Sequence, residues 1–339
     1  MNHPYRWKII FPVILLSAIL VMLIINIIFG SVDIPIAKIG SAIFNVSGPK
    51  DIDFNIIWKI RLPRSLAAIL GGAALSLSGL LLQVLFRNPL ADPFILGISS
   101  GASLFAGLVI FLGALIGWTV ISPFLLMIAA FIGAMLVMVL VLAIARKIKN
   151  IVTLLIVGIM VGYLCSALTN LMVAFAQKEQ LHLFMIWNLG SFSGISWPAV
   201  IILGGATIFL SGAAFLICKP LNALLFGEDY ARSMGVDIKR LRFLIILIAC
   251  LLSAIITAFA GPIAFIGLAV PYMARLACKT SDNRMLVPIT ALLGGLLASL
   301  CDLAARMLFA PLELPISVIT SFFGVPLVIG LLLRRNRSL

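Results

Sequence analysis

The residues in this sequence that could do chemistry are a few charged side chains next to long apolar runs. Arg61 and Arg64 lie directly before an uncharged run from Ser65 to Phe86, and Arg306 follows Asp302 at the spacing of one helical turn. A guanidinium group can bind a carboxylate through two parallel hydrogen bonds, which suits reversible recognition of an acidic partner. Asp302 and Arg306 could also pair with each other on one helix. Alternatively, such arginines extend from a membrane helix towards lipid headgroups.

The sequence lacks the phosphate-binding loop of common ATPases and the zinc motif of metalloproteases. It contains no GxxxxGK[ST] loop to cradle phosphates and no HExxH zinc motif. Its two histidines, His3 and His182, are far apart in the sequence, and its five cysteines form no CxxC pair. We therefore predict no catalytic residue, no metal site and no cofactor, so that any ATP hydrolysis would need a separate subunit.

The composition indicates a protein whose solvent is lipid. Apolar residues make up 63% of the 339-residue chain and charged residues only 10%, whereas soluble domains average roughly 45–50% and 25%. A net charge of +13 could indicate nucleic-acid binding, but basic and aromatic residues do not cluster on a solvated face. The predicted partner is therefore the lipid bilayer and not nucleic acid.

Runs poor in charge predict an all-α, polytopic membrane protein that forms a single transmembrane domain over residues 1–339. Ten runs are bounded by charged residues or by proline and glycine and are predicted to be transmembrane helices, of which 263–278 is the short second arm of a hairpin. The division of the uncharged residues 93–145 into two spans rests on a predicted turn at 113–122. The spans cover residues 9–30, 65–86, 94–113, 122–145, 151–175, 198–217, 241–260, 263–278, 286–304 and 315–333.

The distribution of charge predicts the orientation of these spans. With ten crossings and the N-terminus inside, most of the 24 lysines and arginines fall in inner segments, as expected for a cytoplasmic membrane protein with both termini in the cytoplasm. Arg61, Arg64 and Arg306 are exceptions, because they fall at the outer ends of their helices. These three arginines therefore indicate that an acidic partner binds at the outer ends of their helices.

The longest inner loop contains residues 227–236, GEDYARSMGV, which have the pattern of a short amphipathic helix. Glu228 and Asp229 would lie in its first turn, where the helix dipole favours acids, and Gly235 would end it. Ala231 and Met234 would share one face. The segment is too short to span a membrane, so it is either a solvated connector or a contact for a partner.

Residues 187–194, WNLGSFSG, precede Trp197 in a segment predicted to lie outside, between the fifth and sixth spans. Tryptophans are typical of membrane interfaces, and the glycines and serines between them suit a tight re-entrant turn. The pattern therefore predicts either an interfacial anchor or part of a re-entrant turn.

Two loops of the sequence resemble each other. Pro89-Leu-Ala is followed by Gly97, and Pro262-Ile-Ala is followed by Gly267, each before a short apolar helix. The two loops fall on opposite predicted sides of the membrane, as an inverted repeat requires. Interrupted helices in corresponding halves indicate a central pathway.

Several separated motifs resemble one transporter family. They are RLPR at 61–64, FRNPLADPFILGISSGA at 86–102, GE-x-x-A-x-x-x-G-V at 227–236 and GPIAFIGLAVP at 261–271. Together they resemble the FecCD-type (BtuC-like) permeases of type II, binding-protein-dependent ABC importers for iron chelates, haem and cobalamin. The resemblance covers nearly the whole chain from Arg61 onward and implies a BtuC-like fold with an inverted repeat.

The resemblance also implies roles for particular residues. The residues implied to dock the extracytoplasmic solute-binding protein are Arg61, Arg64 and Arg306. The residues implied to couple the permease to the ATPase are Gly227, Glu228, Asp229, Ala231 and Gly235. The implied cytoplasmic gate comprises Asn88 and Leu90. The residues implied to border the pathway on the outer side are Trp187, Gly190, Ser191 and Gly194.

By this resemblance the chain is a transport subunit and not an enzyme. Two permease copies, or one copy and a paralogue, would assemble with an ABC ATPase dimer and a solute-binding protein to import a ferric siderophore, or a related chelate such as haem or cobalamin. The main alternative is an ion-coupled secondary transporter of a small solute. Such carriers usually hold ionisable residues within the bilayer, whereas the middles of the ten predicted spans contain no Asp, Glu, Lys or Arg. This difference favours an ATP-driven importer.

Overall fold

The computed structural model describes residues 3–30, 32, 34–35, 38–40, 51–115, 122–148, 151–310 and 312–335. These residues form helices and connecting loops, and no β-strand occurs among them. The helices are α1 (His3–Ile28), α2 (Ile52–Phe86), α3 (Ile98–Leu115), α4 (Pro123–Lys147), α5 (Ile151–Ala174), α6 (Lys178–Leu189), α7 (Trp197–Leu216), α8 (Cys218–Leu225), α9 (Glu228–Ser233), α10 (Ile238–Ala260), α11 (Ile266–Cys278), α12 (Asn283–Met307) and α13 (Ile316–Arg335).

A helix lies over each of the ten predicted spans. In the described ranges, seven helices are long and apolar enough to cross a membrane, namely α1, α2, α4, α5, α7, α10 and α12. Three shorter apolar helices, α3, α11 and α13, lie over the other predicted spans, and the count of ten crossings stays a prediction. The predicted turn between the third and fourth spans falls mostly on residues 116–121, outside the described residues. Helices α6 and α8 were not predicted.

Helix α2 begins at Ile52, much earlier than the predicted residue 65. Its first turns include a wider π-helical turn over Ile57–Arg61, directly before Pro63. In a regular α-helix the ring of Pro63 would clash with the carbonyl group one turn earlier. A π turn relieves such a clash without ending the helix. Arg61 and Arg64 therefore lie within a continuous helix rather than in a loop at its mouth.

Close backbone contacts hold α2 at the centre of the bundle, where it is the most buried of the seven long helices. A methyl group at Gly72 would lie 2.1 Å from the carbonyl oxygen of Gly294 in α12, and one at Gly79 would lie 1.7 Å from that of Gly267 in α11. Ser78 donates a 2.7 Å hydrogen bond to the carbonyl of Ala249 in α10. Small residues and hydroxyl groups are the usual means by which helices associate in lipid.

The two similar loops of the sequence meet in the structure. A methyl group at Gly267 would lie 2.8 Å from the ring of Pro93, so the first loop packs directly against the start of α11. Gly97 adopts a φ of +76°, which allows it to contact Gly162 of α5. The contact brings together the two proposed halves of the repeat, whose inverted symmetry stays a prediction.

Two ends of the bundle carry the predicted functional residues. We call one the Arg64 end, formed by the C-terminal turns of α1 and α12 and the N-terminal part of α2. The other is the Glu228 end, formed by the C-terminal turns of α2 and α4, the N-terminal turns of α5 and α10, and the short helix α9. The sequence predicts that the Arg64 end lies outside and the Glu228 end in the cytoplasm.

Candidate functional site

A buried ion network occupies the Arg64 end. Arg64 Nε lies 3.0 Å and 3.2 Å from the two carboxylate oxygens of Asp302, and Arg64 Nη1 lies 2.9 Å from both oxygens of Glu313. Arg64 and Asp302 are buried, whereas Glu313 is partly exposed. One guanidinium group therefore joins α2 to α12 and to the segment that follows α12.

Arg306 extends this network to α1. Its Nε lies 3.4 Å from an oxygen of Asp302, which confirms the predicted pairing of these two residues along α12. Its Nη2 donates a hydrogen bond to the side-chain oxygen of Asn26, and Asn26 Nδ2 donates to Ser299 at 3.0 Å. Asp302 thus lies between two arginines, and Asn26 joins the network to α1.

Arg61 binds the main chain at the C-terminal end of α1 and directly after it. Its Nη1 donates to the carbonyl oxygens of Ile27 at 2.6 Å and Ile28 at 2.8 Å, and its Nη2 donates to that of Val32. The last carbonyl groups of a helix have no partner within the helix. The buried Arg61 side chain supplies one and so caps α1.

The three arginines predicted to dock a binding protein are therefore buried and bound within the chain. Their docking role stays a prediction, because a carboxylate from a partner would have to replace or join these contacts. Sequence reasoning missed two members of the network, Asn26 and Glu313. The sequence does indicate that Asn26 has a polar partner, because an amide side chain within the apolar run 9–30 is costly without one.

At the Glu228 end, an ion pair attaches α9 to α10, and one small side chain of α9 is buried in the core. Ala231 is fully buried, and Glu228 lies 2.7 Å from Arg242 of α10. Arg242 also donates to the carbonyl of Ile148 at 3.0 Å, which joins α10 to the end of α4. Gly227 and Gly235 flank α9 with φ values of +118° and +83°, which favour glycine.

The prediction that Ala231 and Met234 share a face is wrong. Ala231 is 0% exposed but Met234 is 62% exposed, because α9 ends at Ser233 and the chain turns before Met234. The exposed surface instead contains Phe226, Tyr230 and Met234, and the Phe226 and Tyr230 rings contact each other at 5.2 Å between centroids. Sequence reasoning missed this surface, although the spacing of its residues by four was visible. Asp229 is exposed beside it, 3.5 Å from Arg232.

The predicted gate residues lie in the exposed loop after α2. The main-chain N–H of Leu90 donates to the side-chain oxygen of Asn88 at 3.0 Å, so Asn88 stabilises a tight turn. Asp92 is buried further along this loop and accepts from the N–H of Phe94. Burial raises the pKa of the Asp92 carboxyl to about 6, and the hydrogen bond from Phe94 opposes this increase. The gating role of Asn88 and Leu90 stays a prediction.

The predicted outer segment packs against the second proline-containing loop. A methyl group at Gly190 would lie 2.5 Å from the carbonyl oxygen of Pro262, and one at Gly261 would lie 2.4 Å from that of Trp187. The N–H of Ser191 donates to the carbonyl of Ala260 at 2.8 Å. Gly194 has open space around it and a φ of +75°. The segment is therefore attached directly to the end of α10.

Beside this segment lies a polar cleft of about 310 Å³. Its side chains come from α3, α5 and α6, and Ser103 donates to Asn188 at 2.9 Å. The cleft has no charged side chain in its lining. Exposed Ser166 and Asn170 on α5 would be costly against lipid, so this face contacts water or another protein. The lining consists of Ser99, Ser100, Ser103, Ser166, Thr169, Asn170, Phe184, Asn188 and Pro262.

Acidic, histidine and cysteine side chains form no group of three or more that could hold a metal ion within the described ranges. The described residues thus present a buried ion network at one end of the bundle, an exposed apolar surface at the other and an uncharged polar cleft. Such a molecule can bind and release partners and solutes through movement of its helices.

Comparison with known sequences identifies close relatives. The sequence profile of the FecCD transport family matches residues 18–334. The vitamin B12 import system permease proteins BtuC of Salmonella paratyphi A and Salmonella typhi are each 38% identical to this chain over 286 residues. The matches cover 83% of this chain and 84% of each relative.

Solved structures with a similar fold are also known. A metal-chelate type ABC transporter in an inward-facing conformation matches with a TM-score of 0.83 and 28% identity, covering 96% of this chain and 98% of that chain. PsaBC from Streptococcus pneumoniae in complex with Fab matches with a TM-score of 0.52 and 14% identity, covering 79% and 88%. The second likeness concerns the fold alone.

The ion network predicts a large stability effect at one residue. The substitution Asp302→Asn leaves two buried guanidinium groups without their shared carboxylate, so we expect the free energy of unfolding to fall by about 3–5 kcal/mol. Denaturant-induced unfolding of the purified protein measures this loss. The matched control is Asp53→Asn, which breaks the 2.6 Å pair with the exposed Lys38 and should cost less than about 1 kcal/mol. Equal losses in the two variants would contradict a structural role for the network.

Proposed function

The chain belongs to the FecCD transport family, and from this premise we propose that it is the permease subunit of an ATP-driven importer in the cytoplasmic membrane. It is a multi-pass permease of the metal-chelate or cobalamin type. The observation that best supports an ATP-driven mechanism is the exposed surface of α9 at the Glu228 end, where a separate ATPase subunit could bind. A separate subunit is needed because the sequence contains no nucleotide-binding motif of its own.

The α9 surface is suited to binding an ATPase subunit. Phe226, Tyr230 and Met234 are exposed together on a short segment, and aromatic and methionine side chains are enriched where proteins bind each other. Glu228 attaches α9 to α10 through Arg242, and Ala231 is buried in the core. A displacement of α9 by its partner would therefore move α10. Gly227, Glu228, Asp229, Ala231 and Gly235 remain the residues that we propose for this coupling.

The uncharged polar cleft supports a cargo without net charge. Hydroxyl and amide groups provide both hydrogen-bond donors and acceptors, whereas an ionic cargo would lack a counter-charge in this lining. A neutral ferric siderophore fits this description, and so does cobalamin, which is also indicated by the vitamin B12 permeases at 38% identity. The cleft lies next to Trp187, Gly190, Ser191 and Gly194, which we propose border the pathway.

The polar face of α5 supports association with a second permease subunit. Ser166 and Asn170 need a polar environment, and a second copy or a paralogue across this face would enclose the cleft as part of a pathway. Asn88 and Leu90, in the exposed loop at the Glu228 end, are the proposed narrow point on the cytoplasmic side.

The Arg64 end is the proposed contact for a solute-binding protein. Glu313 is the most exposed carboxylate bound to Arg64, so it is the partner that an incoming carboxylate would replace. Arg61 and Arg306 would keep this region in place while Arg64 changes partner. This exchange suits a contact that must form and break in each cycle.

The proposed energy source can be tested in vesicles that contain the permease with its ATPase and binding protein. We expect uptake of cobalamin, or of a neutral ferric trihydroxamate, to require ATP on the side of the membrane that carries the ATPase, opposite the binding protein. Uptake should continue after a protonophore collapses the proton gradient. Uptake measured with radiolabelled cargo checks this outcome. Uptake that stops with the gradient while ATP is maintained would support the secondary-transporter alternative instead.

The coupling segment predicts a separation of ATP hydrolysis from transport. In the double variant Glu228→Gln and Gly235→Ala, α9 loses its ion pair with Arg242 and its preferred C-terminal turn. We expect cargo transported per ATP hydrolysed to fall about tenfold, equivalent to ~1.4 kcal/mol. The control is Ser233→Ala, an exposed change in the same helix. If the double variant and the control transport equally well per ATP, α9 is not the coupling element.

The docking proposal predicts a gain rather than a loss for one substitution. Glu313→Gln removes the carboxylate that competes for Arg64 but leaves the buried Asp302 contact intact. We expect the solute-binding protein to bind this variant more tightly, by up to about tenfold, with fold stability changed by less than about 1 kcal/mol. Surface plasmon resonance measures the affinity. Unchanged or weaker binding would reject the exchange at Arg64.

A further inference from the structure

A second cavity lies at the Glu228 end, between α4, α9 and α10. Its volume is about 710 Å³, more than twice that of the polar cleft. Its walls combine two kinds of surface. Basic side chains surround it where the helices end, and apolar side chains, among them Leu142 and Phe243, continue along α4 and α10 towards the middle of the bundle.

The charge in this cavity is positive and only partly compensated. Its two acidic residues already have basic partners, since Glu228 binds Arg242 at 2.7 Å and Asp237 binds Arg240 at 3.0 Å. Arg146 and Lys239 also line the cavity, and neither lies within 4.0 Å of a carboxylate in the described part of the chain. An anionic group would supply the missing compensation.

The apolar wall restricts the kind of anion. The guanidinium carbon of Arg146 lies 5.3 Å from the centre of the Phe243 ring, so the basic and apolar surfaces are directly adjacent. Leu142 is buried one turn further into α4. A soluble anion such as inorganic phosphate would use only the basic rim. An amphiphile with a phosphate and a hydrocarbon chain would use both surfaces.

We propose that this cavity binds one anionic phospholipid of the cytoplasmic leaflet, with its phosphate between Arg146 and Lys239 and an acyl chain along Leu142 and Phe243. The cytoplasmic leaflet contains the anionic lipids, and basic pockets between helices on that side bind such headgroups. The sidedness rests on the proposed function, whereas the lipid chemistry rests on the cavity alone. A lipid bound there contacts the wall that carries Glu228 and therefore stabilises the position of α9.

The test uses the full-length permease, purified in detergent and titrated with lipids of identical acyl chains. We expect phosphatidylglycerol to bind more tightly than phosphatidylcholine in native mass spectrometry, and to raise the midpoint of thermal unfolding. Arg146→Gln with Lys239→Gln should weaken phosphatidylglycerol binding by about thirtyfold, since two basic residues contribute ~2 kcal/mol near an anionic lipid. Lys178→Gln with Lys219→Gln removes the same charge away from the cavity and should leave binding unchanged.

A second variant tests the apolar wall without changing any charge. Leu142→Trp reduces the space for an acyl chain and should weaken phosphatidylglycerol binding while the binding of glycerol 3-phosphate stays immeasurably weak. The proposal is overturned by equal binding of both lipids, by an equal loss in the control pair, or by stabilisation with inorganic phosphate alone. Displacement of the lipid by the ATPase subunit would also overturn it. ATP-driven uptake by the wild-type complex can be scored separately, so failure of the lipid site does not remove the proposed function.

Discussion

The fold depends on the need to compensate the buried charges at the Arg64 end, because little water is available to solvate them in a membrane protein. Asp302 lies between Arg64 and Arg306, and each guanidinium group has further partners in α1 or in the segment after α12. Isolated charges in such surroundings are too costly to keep, but a connected network of hydrogen bonds compensates them. Because the partners come from three helices, compensation of the charges also fixes how those helices are arranged.

The same lack of water explains why α2 packs through glycine rather than through large apolar side chains. Lipid is as apolar as leucine, so burial of leucine between helices gains little, and close contact between backbones gives more. Gly72 and Gly79 permit such contact with α12 and α11. The chain directly before α11 is a loop, and its backbone is covered by other segments: Gly190 packs against the carbonyl group of Pro262, and Ser317 of α13 donates a 2.9 Å hydrogen bond to it. Irregular backbone is tolerated in a membrane protein when other protein segments cover it in this way.

Much of the helical architecture was predictable, because the length of an uncharged run is set by the thickness of the bilayer. The early start of α2 was not, since the π turn before Pro63 depends on local backbone geometry that composition does not encode. The burial of Arg61, Arg64 and Arg306 was missed for a different reason. Arg61 binds main-chain carbonyl groups, which no sequence pattern marks, and the partners Glu313 of Arg64 and Asn26 of Arg306 are distant in sequence. Charge counting assigns a side of the membrane but not a partner. The face of Met234 was misjudged because α9 is shorter than its pattern suggested.

The polar cleft and α9 lie at opposite ends of one rigid element. A six-residue helix such as α9 is not stable alone, so its position is set by the ion pair of Glu228 with Arg242 of α10 and by the burial of Ala231 in the core. At its other end, α10 accepts the hydrogen bond from Ser191 through Ala260, next to the lining of the cleft. A single continuous helix of 23 residues therefore connects α9 to the edge of the cleft. Since packed helices move as units rather than deforming, the proposed function would use α10 to join the ATPase subunit at one end to the polar cleft at the other.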